Sequence, residues 1–178
     1  MIKVREWVRS LDLSTLFRWF IIYSVIGWAY ETLYTYITTG NFTNRGFLFG
    51  PLCPIYGLSL LVMILLCPDL NRSFLSLITR CAFAATLMEY ITSSWMEYVF
   101  DKRWWDYSDM FMNINGRVCL GASLLFGVLG AGFIRYIHPA LVSITELISN
   151  QAMRVIDRII LVLFLYDILL SFRINIVR

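Results

Sequence analysis

The chain has 178 residues, of which 59% are hydrophobic, 16% aromatic and only 15% charged, with a net charge of +3 and a mean hydropathy of +0.69. Soluble domains are about 45–50% apolar and about 25% charged. A water-soluble fold of this length cannot hide so much apolar surface, so the bilayer is its simplest solvent, and the small basic excess fits membrane edges rather than a nucleic-acid partner.

Residues 2–13 mix Lys3, Arg5 and Arg9 with Val4, Trp7 and Val8, the pattern of an amphipathic helix lying in the interface. No small-residue cleavage site follows a short apolar core, which argues against a cleaved signal. The first apolar run, 16–37, is expected to stay as an anchor and span the membrane. Further spans are expected over 51–67, 74–99, 118–137 and 155–172, each near the twenty or so residues that cross a hydrocarbon core. Residues 139–153 open on Pro139, a good first residue for a helix, and are too polar for a span. They read as a second interfacial helix or an extension of the last span. The expected fold is thus all-α: a single polytopic helical bundle with about five transmembrane helices and one or two interfacial amphipathic helices.

Basic residues set the orientation. The N-terminal edge and the second and fourth connections hold Lys3, Arg5, Arg9, Arg18, Arg72, Arg80, Arg135, Arg154 and Arg158. The opposite edge holds Arg45, Lys102, Arg103, Arg117, Arg173 and Arg178. The excess favours a cytoplasmic N-terminus in a multi-pass protein of the cell membrane.

With five spans, the first and third connections lie on one side, and both are rich in polar residues: "NFTNRGFLFGPLCPIYG" and "DKRWWDYSDMFMNINGR". Glu31, Glu89, Glu97 and Asp167 all fall in span halves that approach that side. Glu89, Ser93 and Glu97 are spaced i, i+4, i+8 and share one helical stripe, with Tyr90 beside it; Tyr23, Gly27, Glu31 and Tyr34 share another. A carboxylate facing lipid is expensive, so both stripes are expected to face protein or water. Their natural counter-ions are Arg45 and Arg117, then Lys102 and Arg103. With Asn44, Trp105, Asp106, Tyr107, Asn113 and Asn115 from the connections, these residues would form one polar chamber for a substrate. The competing reading makes the acids structural ion pairs, the tryptophans an interfacial belt, and Asn113, Asn115 and Gly116 a tight turn.

His138 is the only histidine, so the usual general base and metal ligand are missing. No metal and no cofactor are expected. Cys53, Cys67, Cys81 and Cys119 show no CxxC spacing. Cys67 and Cys81 are expected to be reduced. Cys53 and Cys119 read as buried thiols, with a disulfide as the alternative in an oxidising compartment. The small residues of "GASLLFGVLGAG" call for close helix packing in the fourth span.

Taken together, "YSVIGWAYE", "NRGFLFGPLCPIYG", "EYITSSWMEYVF", "WWDYS" and "NINGRVCL" resemble a family of small bacterial membrane proteins, the ABC-transporter type IV or CmpB-like permeases. The resemblance covers nearly the whole chain. It implies a transport component of the bacterial cytoplasmic membrane. The sequence holds no GxxxxGK[ST] phosphate loop, so the resemblance also implies a separate ATPase docked on the cytoplasmic side, between Arg135 and Arg158. Five spans are few for a transporter half, which points to a homo-oligomer. Two other functions fit the polar residues: an intramembrane enzyme, with Glu31 and either Glu89 or Asp106 as acid and base on a lipid or isoprenoid, and a structural assembly partner.

Overall fold

A computed structural model describes residues 12–67, 73–145 and 150–177. Residues 2–11 of the expected N-terminal amphipathic helix, and 146–149 of the second, lie outside the described residues. Among the described residues five helices form the fold: α1 (Leu13–Thr39), α2 (Pro54–Leu66), α3 (Phe74–Phe100), α4 (Leu120–Thr145) and α5 (Asn150–Val177). Three of them, α3, α4 and α5, are long and apolar enough to cross a membrane. At 27 residues α1 is as long as α3, but Arg18, Glu31 and its run of tyrosines dilute its apolar character. The 13 residues of α2 rise about 20 Å, short of a hydrocarbon core of about 30 Å. The expected span over 51–67 therefore shrinks, because residues 51–53 are loop.

Local chemistry sets the helix ends. Asp12 caps α1, accepting from the Thr15 N–H at 2.7 Å. Gly40, at φ +72°, ends the helix in the left-handed conformation. Ser73 caps α3 in the same way, and its C-terminal cap is Asp101 at φ +50°.

Pro139 does not open a helix. It lies inside α4, directly after a π-helical turn at Phe133–Ile137 whose last bond runs from the His138 N–H to the Phe133 carbonyl. Proline lacks an N–H and crowds the carbonyl four residues back. The wider π turn absorbs both defects, and the helix runs on to Thr145.

The described residues divide into two compact units, with the boundary inside α2 after Leu58. One holds the second half of α2 with α3 and α4. Its core is Met63, Ile64, Leu77, Ala84, Ala85, Ala131 and Ile134. Here α4 lies close against α3 at Gly127, where an added Cβ would stand 2.7 Å from the Ala82 Cβ and 3.0 Å from the Ile78 carbonyl oxygen. The Thr86 hydroxyl donates to the Ser123 hydroxyl at 2.7 Å across the same contact. Without a hydrophobic drive between helices in lipid, such close approach and polar bridging hold them together.

The other unit holds α1, the 40–53 loop, the start of α2, and α5. Met153, Asp157, Phe164, Asp167 and Ser171, spaced three to seven apart, form the inward stripe of α5. The rest of that helix exposes Ile159, Val162, Leu163, Leu165 and Leu169, as a helix in lipid would.

Glycine substitutions test the packing of α4. Gly127→Ala is expected to cost about 1–3 kcal/mol by forcing α3 and α4 apart. Gly121→Ala meets nothing within 4 Å and is expected to gain up to about 1 kcal/mol of helix propensity. Thermal unfolding in detergent should move in opposite directions for the two variants; equal shifts would contradict this packing.

Candidate functional site

In the α3–α4 unit, the polar stripe of α3 is covered by the connection 101–119. This loop is built like a hairpin. Ile114 and Val118 pair as an antiparallel bridge, and the Arg117 N–H donates to the Ile114 carbonyl at 3.0 Å. The two residues between, Asn115 at φ +54° and Gly116 at φ +67°, take the left-handed conformation of a type I′ turn, for which Asn-Gly is the preferred pair. The Asn113 side chain ties the loop to itself: its amide donates to the Ser108 carbonyl at 2.9 Å and the Met110 carbonyl at 3.0 Å, and its oxygen accepts from the Gly116 N–H at 3.1 Å. Trp105 donates from its indole nitrogen to the Arg117 carbonyl at 2.9 Å, so it braces the loop from within. Asp106 is exposed and turned toward its own loop, where the Ser108 hydroxyl and then the Ser108 N–H hold its carboxyl below the usual aspartate range.

This scaffold sets Arg117 on the stripe. Its guanidinium pairs with the Glu97 carboxylate, donates to the Ser93 hydroxyl at 3.2 Å and lies 5.9 Å from the centre of the Tyr90 ring. Arg103 grips the other oxygen of Glu97 at 2.8 Å and donates to the Asn115 carbonyl at 3.3 Å. Asn115 in turn donates to the Tyr90 hydroxyl at 2.9 Å. Glu89, two turns earlier and buried, accepts from the Tyr107 hydroxyl at 3.3 Å. Lys102 instead stacks over Trp104, 5.2 Å from the ring centre. Glu89, Tyr90, Ser93, Glu97, Trp105, Tyr107, Asn113, Asn115 and Arg117 thus form one connected cluster, with one carboxylate shared by two guanidinium groups.

In the α1–α5 unit the helices hold a different set. Gly27 lets the Tyr56 ring lie directly on α1, since a Cβ there would overlap the ring. The Tyr56 hydroxyl consequently reaches Glu31 and donates to it in a short hydrogen bond. Arg45 stands 3.9 Å from the other Glu31 oxygen, both side chains being partly exposed. Asn44 accepts from the Trp28 indole and donates to the Phe49 carbonyl at 2.8 Å, which shapes the 44–49 turn. Asp167 accepts from the N–H groups of Phe49 and Gly50 at 3.0 and 2.9 Å and from the Ser171 hydroxyl at 3.3 Å. A carboxylate here does the work of a helix cap on a loop, pinning two successive backbone donors.

Sequence reading overlooked one arrangement in this unit. Asp157, buried in α5, accepts from Arg18 at 3.1 Å and 2.7 Å through two different nitrogens, and from the Ser14 hydroxyl at 2.9 Å. From the sequence alone Arg18 counts only as an edge charge. The available signal was a lone acid at the start of an apolar run, matched by a lone arginine early in α1. Tyr56, which holds Glu31, was also missed. All four cysteines are buried thiols, none in a disulfide. Among the described residues, no group of three or more His, Cys, Asp or Glu side chains is placed to hold a metal ion.

Residues 18–172 match the model of the family described as "Putative ABC-transporter type IV". The match reaches into all five helices, and the chain belongs to that family. No curated protein and no solved structure matches the chain.

The Arg18–Asp157 pair tests whether such contacts are rivets. Arg18→Met strands a buried carboxylate and is expected to cost about 3–5 kcal/mol, whereas Arg18→Met with Asp157→Leu should recover most of that loss. Chemical or thermal unfolding of the purified variants measures both. A double variant as unstable as the single one would show that the pair does more than neutralise charge.

Proposed function

We propose that this member of the ABC-transporter type IV family is the membrane-embedded permease component of a transport system in the bacterial cytoplasmic membrane. In this reading all five helices sit at membrane depth, the N-terminus is cytoplasmic, and a separate ATPase supplies the energy. Three helices of sufficient length and apolarity, the family membership, and the lack of a phosphate-binding loop in the sequence support it.

The observation that carries the reading is the polar stripe of α3. Glu89, Ser93 and Glu97 follow one another on a helix otherwise suited to lipid, and Arg117 and Arg103 lie over its end. Intramembrane ionisable groups of this kind mark solute paths more often than they mark rivets. Glu97 has two guanidinium partners, so the trio can exchange. An anionic group of a solute can take one arginine while the other keeps Glu97 neutralised. Before the solute arrives the trio carries one positive charge in excess, which attracts an anion; once the anion is bound every charge has a partner, the condition for holding a charged group in a medium of low dielectric. Glu31 with Tyr56 and Arg45 offers a second pair of this type, looser at 3.9 Å.

Inverted membrane vesicles from cells producing the chain together with a candidate partner ATPase provide the test. ATP-dependent accumulation of at least one labelled solute class is expected, and Glu97→Gln should lower it at least tenfold per folded protein in the vesicles. Accumulation that is the same with and without the chain for anions, cations, sugars and amino acids would overturn the reading. So would a Glu97→Gln variant that unfolds several degrees earlier yet transports normally.

A further inference from the structure

Two stripes run along α3. The inner one is Ile78, Ala82 and Thr86, followed by Glu89, Ser93 and Glu97, all spaced three or four apart. Its first half is covered by α4: the Gly127 backbone lies against Ile78 and Ala82, and Ser123 bonds to Thr86. At the other end of the pair Arg135 lies over the Phe74 ring, 5.9 Å from its centre, as the same antiparallel register requires. Leu120, where α4 starts, therefore stands level with Glu89. From there the 101–119 connection takes over the inner stripe, with Tyr107 on Glu89, Arg117 on Ser93 and Glu97, and Arg103 on Glu97. The loop lies beside the last turns of α3, over about 12 Å of its length, and not only beyond its end. The outer stripe shows how far lipid reaches. Phe83, Leu87, Ile91, Trp95 and Tyr98 are all exposed, and the row runs past the level of Leu120 without a break. It ends in tryptophan and tyrosine, the side chains that settle at the headgroup level.

From Phe74 to Glu89 the paired helices rise only about 24 Å, short of a hydrocarbon core of about 30 Å. Arg80 and Arg135 bound that core on one side, so on the other it takes in a part of α3 that α4 does not accompany. The loop beside that part is built for the depth. The N–H groups of Tyr107, Met110, Ile114 and Arg117 donate to carbonyls of the loop itself, and those of Ser108 and Gly116 to the Asp106 and Asn113 side chains. Backbone in water needs no such provision, whereas irregular backbone at membrane depth must be satisfied by protein. Its tip is apolar: Met110, Phe111 and Met112 are 52%, 78% and 63% exposed. The Asn113 amide holds the tip through the Ser108 and Met110 carbonyls, with Met112 in the left-handed conformation, at φ +51°, that side chains rarely adopt. We propose that the 101–119 connection is a re-entrant hairpin seated in the bilayer, with Met110, Phe111 and Met112 among lipid acyl chains just below the headgroups. Asp106 and Asp109, both exposed, keep it at that boundary and out of the centre of the core. The proposal rests on α3 and α4 crossing the membrane, and it adds to the transport reading a lipid anchor for the loop that holds Arg103 and Arg117 on Glu97.

Power-saturation electron paramagnetic resonance provides the test, on the full chain in liposomes of phosphatidylcholine and phosphatidylglycerol with a nitroxide at Phe111→Cys. The four native thiols are buried, so the label goes to the introduced one. Oxygen, which concentrates in lipid, should relax this label several-fold more than a water-soluble nickel chelate does, as it should at Phe83→Cys on the outer stripe of α3. Nickel prevailing at Phe111→Cys alone would overturn the proposal. So would a label that neither reagent reaches, the mark of a protein partner such as a second copy of the chain. Nickel prevailing at Phe83→Cys as well would instead remove the premise that α3 crosses the membrane, and the proposal with it. Should the labelled chain fail to fold, hydroxyl-radical footprinting of the wild type in the same liposomes decides. Met110 and Met112 are then expected to be oxidised no faster than Phe83, despite the greater reactivity of a thioether, and faster oxidation would overturn the proposal.

Discussion

A carboxylate set among apolar helices needs a donor to stabilise it, and this single requirement organises both units of the protein. Five acids lie within the described helices, and each has a donor. Glu31 has Tyr56 and Arg45, Glu89 has Tyr107, Glu97 has Arg103 and Arg117, Asp157 has Arg18 and Ser14, and Asp167 has two backbone N–H groups and Ser171. A carboxylate left unpaired where it is buried, as Glu89 and Asp157 are, would cost more than an exposed ion pair gains in water. The acids therefore dictate where the rest of the chain goes.

They do so in two ways. Asp157 and Glu31 join helix to helix, the first through a bidentate arginine on α1 and the second through Tyr56 of α2. Asp167, Glu89 and Glu97 recruit loops. Asp167 pins the backbone of residues 49 and 50, and Glu97 and Glu89 hold the 101–119 loop through Arg103, Arg117 and Tyr107. The loop answers with its own order: the Asn-Gly turn and the Asn113 and Trp105 hydrogen bonds fix Arg117 before any ion pair is counted. Stability and function meet at this point. A pair with one partner each, such as Arg18–Asp157, is suited to holding. A carboxylate with two guanidinium partners can trade one of them and stay neutralised.

Much of this was legible in the sequence where the signal is local. The bounds expected for α3, 74–99, nearly coincide with Phe74–Phe100, because an apolar run there is flanked by a capping serine and a left-handed aspartate. The i, i+4, i+8 spacing placed Glu89, Ser93 and Glu97 on one face, and Asn-Gly announced its turn. Non-local pairings were not legible. Arg18 and Asp157 are 139 residues apart, and no periodicity connects them. Tyr56 reaches Glu31 only because Gly27 lacks a side chain. Pro139 read as a helix start since a π turn, which has no simple sequence signature, was needed to carry it mid-helix.

The most direct measurement is solid-state NMR of the protein in lipid bilayers, with arginine guanidinium nitrogens and Asp/Glu carboxyl carbons isotopically labelled. Dipolar coupling should report guanidinium-to-carboxylate contacts within about 4 Å for Arg18 with Asp157 and for Arg103 and Arg117 with Glu97. Arginines that show no such coupling, in protein whose helices are intact, would contradict the claim that the acids on these helices are neutralised by partners from their own unit.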